Sequence, residues 1–186
     1  MKKWAFLIFV IVVLIAAYLF IYLTVKINGM EAEIRDKSSE IDGNLWDRAF
    51  QLSKLAEIIK GKGIETDMEV LDVNTFGLGM SVTMQAVNSE KMDGSDVKLR
   101  EILKEHEDLK EEEDFATHLQ KFNNSRAELM KSSLAYNRCV NKFNSYTSNF
   151  PANIIMIFHK KQSKGNFAYY FRDLEASEAP ANAESE

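Results

Sequence analysis

Residues 4–25 read WAFLIFVIVVLIAAYLFIYLTV, a run of twenty-two positions without a charge, preceded by Lys2-Lys3 and followed by Lys26. At 1.5 Å rise per residue, such a helix crosses a hydrocarbon layer of about 30 Å. Trp4 lies at one end and Tyr18 and Tyr22 toward the other, where aromatic rings favour the headgroup boundary. A secretory signal has a shorter apolar core, about 7–15 residues, and a small-x-small cleavage site. Here Lys26-Ile27-Asn28-Gly29-Met30 follows instead, and no cysteine lies close enough to carry a lipid. The expectation is an uncleaved transmembrane helix over 4–25, behind a short flank at 1–3.

What lies beyond the span is sized for one domain of roughly 145 residues, enough to bury a core. The chain carries a net charge of −5; without the +2 of Lys2 and Lys3 the remainder is near −7. That acidity argues against nucleic acid, which is bound through basic surfaces. One cysteine, Cys139, can form no internal disulfide.

Prolines occur only at 151 and 180. Nothing between 30 and 149 must therefore break a helix, and strand-like alternation is nowhere sustained. The predicted fold class is all-α, the membrane helix continuing into an antiparallel four-helix bundle over 26–174. The tail, 175–186, consists mostly of Ala, Glu and Ser and is expected to be disordered.

The first helix should run to about Lys60, its inner face marked by Ile34, Ile41, Leu45, Leu52, Leu55 and Ile59. Gly61-Lys62-Gly63 reads as its stop. A second helix is expected from about Glu65 to Met92, facing inward through Met68, Leu71, Leu78 and Val82. Asp93-Gly94-Ser95 reads as a turn before a short third helix, 97–109. The uncharged stretch 73–89 is too rich in amides and hydroxyls to be a second span.

The acidic run Glu111 to Asp114 suits the start of the last helix. Phe115, Leu119, Phe122, Arg126, Leu129, Ser133, Tyr136, Val140 and Phe143 then alternate gaps of 4 and 3, a coiled-coil seam. Arg126 interrupts that seam, and Arg48 faces inward on the first helix. Either both find carboxylates, with Glu69 or Asp72 in reach, or both snorkel outward.

No catalytic constellation stands out. His106 and His118 are twelve residues apart, not at the i, i+4 spacing of a helical metal pair, and His159 is remote from both. No cofactor is expected. Arg138 beside Cys139 could lower a thiol pKa, though a buried structural thiol is the simpler reading. The segment 150–172 mixes aromatic and aliphatic residues with Lys160, Lys161, Lys164 and Arg172. It suits lipid contact at a membrane interface, or else its aromatics fold back on the bundle while the lysines stay wet.

Ala135-Tyr136-Asn137-Arg138-Cys139-Val140-Asn141-Lys142-Phe143-Asn144, followed by Ser148-Asn149-Phe150-Pro151-Ala152-Asn153, resembles the Y-N-x-x-V-x-x-[YF]-N…F-P-x-N signature of LemA proteins. Tyr169-Tyr170-Phe171 is similar to that family's closing aromatic stretch. Ile41-Asp42-Gly43-Asn44-Leu45, Arg48 and Ile58-Ile59-Lys60-Gly61 look like its first-helix pattern. Three features depart from it: Asp47 precedes Arg48 where the family usually has two arginines, Ala49-Phe50-Gln51-Leu52-Ser53-Lys54 has neither the usual proline nor asparagine, and the usual histidine-glutamate pair is missing.

The resemblance implies a bacterial single-pass protein of the inner, or cytoplasmic, membrane with a helical body. Its role would be non-enzymatic scaffolding or interaction at the cell envelope, with a protein partner and with homo-oligomerisation left open. A related branch belongs to membrane organelles, so a lipid-binding or organelle-shaping role is one alternative. A metal-binding enzyme or sensor is another. Lys2 and Lys3 favour an inside N-terminus, the family has been pictured the other way, and orientation stays open. Independently of any family, Asn137, Asn141 and Asn144 form a stripe beside the seam, where amides can bond a neighbouring segment.

Overall fold

In a computed structural model, which describes residues 2–76 and 79–167, the chain is helical with no strand among the described residues. Arg172, the aromatic stretch 169–171 and the tail 175–186 lie outside the described residues. The first helix, α1, runs unbroken over Lys2–Gly61. At 1.5 Å per residue it is about 90 Å long. Among the described residues one helix, α1, is long and apolar enough to cross a membrane, and only 6% of its most apolar window is buried.

Past that stretch the same helix becomes the spine of the body. Leu23, Ile27, Met30, Ile34, Ile41, Leu45, Leu52, Leu55 and Ile59 are all buried, at the a/d spacing of a coiled coil. The matching seam belongs to α3, Glu113–Thr147, where Phe115, Phe122, Leu129, Ser133, Tyr136, Val140 and Phe143 are buried. The two helices run antiparallel: His118 meets Gln51, Ser132 meets Asn44, and Lys142 meets Glu33.

The second and third helices expected from sequence are not found as such. The described residues 62–76 and 79–81 are non-helical apart from a 3₁₀ turn at Val73–Thr75. Gly63 and Gly79 sit at φ +75° and +93°, a region costly for any residue with a Cβ. Within the segment, Thr66 and Asp72 accept hydrogen bonds from the backbone two residues on, a local bond that competes with helix. Helix then starts at Ser81, whose hydroxyl caps the Met84 amide.

That helix, α2 (Val82–Glu105), passes straight through Asp93-Gly94-Ser95 instead of turning there. Arg48 binds Asp93, and the Ser95 hydroxyl donates to the Glu69 carbonyl. These tertiary bonds override the local turn signal. Gln85 meets Asp42 and Asp93 meets Arg48, so α2 runs parallel to α1, not antiparallel as the up-down order required. Gly94 is the misfit left behind: a Cβ added there meets nothing within 4 Å. Gly94→Ala should stabilise the chain by about 0.5–1 kcal/mol, seen as a higher denaturant midpoint.

A 3₁₀ turn, Glu107–Glu111, buries Leu109 and leads into α3. Pro151 follows α3 and caps the seven-residue α4, Ala152–Phe158, which packs against both α1 and α3. After a turn at 159–160, with Lys160 at φ +50°, the arm of residues 161–167 returns along α3, where Lys164 and Phe167 meet Asn144 and Asn137.

Candidate functional site

Two polar assemblies are built into the body. The first crosses its middle. The seam of α2 is Gln85, Ser89, Met92, Asp96, Leu99 and Leu103, all buried, with gaps alternating 4 and 3. Half of that seam is polar, and it faces the seam position of Arg48. The Arg48 side chain has no exposed surface; its Nη2 donates to Asp93 Oδ1 at 2.8 Å and lies 4.0 Å from Asp96 Oδ2. Its guanidinium carbon sits 5.0 Å from the Phe122 ring centroid, a cation–π contact. Asp96 also faces Arg126 Nη1 at 3.6 Å and Arg100 Nε at 3.1 Å.

Arg48 and Arg126 thus take their carboxylates from Asp93 and Asp96. Neither Glu69 nor Asp72, the partners expected from sequence, serves: Glu69 pairs with Lys91 and Asp72 caps Asn74. The network ties α1, α2 and α3 together through charge, and Arg48 Nε and Nη1 have no hydrogen-bond partner among the described residues.

About one and two-thirds helical turns from Arg48 lies Asp42, also buried. Its Oδ1 accepts from Gln85 Nε2 at 2.6 Å, while Gln85 Oε1 and Ser89 Oγ have no partner among the described residues. Burial pushes the Asp42 carboxyl above its ordinary 3.8, against the opposing pull of Gln85 and the Gly79 and Met80 amides. A raised carboxyl pKa means the folded chain holds this proton more tightly than the unfolded chain. The contribution of Asp42 to stability is therefore most favourable below pH 3.8 and is lost as pH rises through the folded value. Asp42→Asn should be more stable than the parent at pH 7, with the gain vanishing in denaturation curves taken below pH 3.8.

The second assembly explains the asparagine stripe. Asn137 Nδ2 donates to the Phe167 carbonyl at 3.1 Å, and its Oδ1 accepts the Phe167 amide at 2.7 Å. Asn144 does the same to Lys164, at 2.8 and 2.9 Å. Between them the Tyr136 hydroxyl donates to the Gly165 carbonyl. Each amide side chain stands in for a strand's edge. The spacing is matched: seven helical residues advance about 10.5 Å and three extended residues about 10 Å. Asn141, between the two, is exposed and takes no part in the clamp. Phe143 is buried in the seam below it, and Phe167 is buried under the arm.

The base of the arm is held by charge. Lys161 bonds Asn28 and Glu31, and Lys164 Nζ lies 3.2 Å from Glu31 Oε1. Burial opposes ionisation of Glu31, but the two lysines outweigh it and hold its carboxyl below 4.5. Two of the lysines considered for lipid contact are thus engaged within the chain, and Lys160 stays exposed.

The histidines go to separate places. His118 meets Gln51, His159 meets Thr24, and His106 ends α2. Among the described residues no group of three or more His, Cys, Asp and Glu could hold a metal. Cys139 lies against Glu33, and burial together with that carboxylate pushes its thiol above 9.0, opposite to the effect considered for Arg138. At the far end of the body an open groove of about 1050 Å³ lies between the end of α1, the 63–70 segment and α2. Glu65, Asp67, Glu101 and Glu105 line it with Lys60 and Lys98, the latter paired with Asp67, so its net charge keeps the sign of the 107–114 run that follows in sequence. Comparison of the chain with protein-family models, with curated proteins and with solved structures finds no match.

Proposed function

We propose that this chain is a non-enzymatic, single-pass, LemA-like membrane protein of the bacterial cell envelope, whose helical body is a scaffold for a protein partner. The observation that carries the reading is the continuity of α1. Its surface is bare and apolar before Leu23, and its inner face is buried in the body from Leu23 onward. A bare apolar surface of that length suits lipid, not water. Removal of the stretch as a signal peptide at its charged end would take Leu23, a core residue, with it.

The clamp supports the likeness to the LemA pattern, since it gives Asn137 and Asn144, the first two asparagines of the motif, a defined structural task. Partner binding is assigned to the acidic end farthest from the bilayer. There Glu101 and Glu105 approach the acidic run from Glu107 to Asp114, and a surface of that sign attracts a basic partner.

Photo-crosslinking groups at Glu107 and Asp114, in membranes of the native host, test this. The same discrete protein adduct is expected from both positions, and it should disappear when Glu111, Glu112 and Glu113 are changed to Lys. No discrete adduct, or one stoichiometric metal per purified chain, would contradict the scaffold reading.

A further inference from the structure

α4 is apolar on two faces. Ala152, Ile155 and Met156 are buried against the body, while Ile157 and Phe158 are 77% and 71% exposed, with Ile154 beside them and Phe150, just before the helix, 79% exposed. A helix that is apolar all round is ordinarily covered all round. Here the outer face is bare, and its position says what covers it. Phe158 packs edge-on against Phe20 with ring centroids 5.9 Å apart, and His159 meets both Phe20 and Thr24.

Phe20 and Thr24 belong to the uncharged stretch that ends at Val25. Phe20 is five residues inside that end, about 8 Å along the axis at 1.5 Å per residue. Interfacial helices bury their apolar faces to a depth of about 5–10 Å. Lys160, exposed directly after α4, is placed to meet lipid phosphate.

We propose that α4 is a second membrane contact: a foot that inserts Phe150, Ile154, Ile157 and Phe158 into the same leaflet that α1 leaves at Val25. The inference rests on the anchor reading of α1. One helix alone fixes a body's height above the bilayer but leaves it free to tilt. A second apolar contact beside the first holds it upright. The lipid contact thus comes from the apolar side of α4 and from Lys160, while Lys161 and Lys164 are engaged by Glu31.

The test uses the full chain in liposomes, with Cys139→Ser removing the sole cysteine and single cysteines introduced for an environment-sensitive fluorophore. Ile157→Cys reports the foot, Leu14→Cys the anchor and Glu107→Cys the distal end. With quencher-bearing lipids, the label at 157 should shift to the blue and lose roughly half or more of its emission to a shallow quencher. The label at 14 should respond to a deep quencher, and that at 107 to neither. Quenching at 14 without quenching at 157 overturns the foot and leaves the anchor standing. A blue shift at 157 without lipid quenching shows the face covered by protein and also overturns it. No quenching at either position overturns both readings.

Discussion

Asp93→Ala should destabilise the body by about 3–5 kcal/mol, the cost of leaving a buried charge without its partner. Arg48 has no exposed surface, its closest anion is Asp93 at 2.8 Å, and Asp96 at 4.0 Å is already shared with Arg100 and Arg126. Removing Asp93 strands a guanidinium that already has two unpartnered nitrogens. The partial orphaning of Arg48 sharpens the expectation for the double variant. Arg48→Met fills similar volume, keeps contact with Phe122 and removes the unpaired donors. Arg48→Met/Asp93→Ala should therefore be more stable than Asp93→Ala alone, a coupling that a double-mutant cycle isolates. Chemical denaturation of the chain in detergent, followed by circular dichroism, reads both. Equal stability of the single and double variants would mean that the pair does not hold α2 against α1.

Asn137→Ala and Asn144→Ala should each cost about 1–3 kcal/mol, because each removes two hydrogen bonds to the backbone of the arm. The two act on one short segment, so their combination should release it, exposing Phe167 and the Tyr136 ring, both now buried. Asn141→Ala is the internal control. Its amide is exposed, and its loss should stay within about 0.5 kcal/mol. Proteolysis of the double variant should cut first at 160–167 while α1 and α3 stay intact. Equal effects at 137, 141 and 144 would contradict the clamp.

The parts legible in the sequence are those where one periodic pattern had no competitor. The a/d spacing on α1 and α3 locates both seams, and the acidic run and Pro151 mark the ends of α3 to within a few residues. The stretch from Lys62 to Ser81 misled because Met68, Leu71, Leu78 and Val82 keep a helical rhythm. Glycines at positive φ and side chains that bond their own backbone outweigh that rhythm. Met68 is buried all the same, so the apolar pattern reported the core without reporting the helix.

The reverse error occurred at Asp93-Gly94-Ser95, where a strong turn signal yields to an ion pair made across the fold. The alternation of 4 and 3 from Gln85 to Leu103 was present in the sequence. It is hard to read because three of its six members are polar. Arg48 and Arg126 were visible as charges on inner faces, but naming their partners requires the direction of α2, which no local pattern carries. The asparagine stripe was visible too. Its partner was not, since a backbone clamped in extended form leaves no periodic mark on residues 164–167.

One claim underlies all of these: α1 is at once the membrane anchor and the spine of the body. The direct measurement is alkaline carbonate extraction of membranes from cells making the full chain, with the mass of the recovered protein determined. The account predicts recovery in the membrane pellet with residues 4–25 still attached. Recovery in the supernatant, or of a folded chain lacking that stretch, would contradict it.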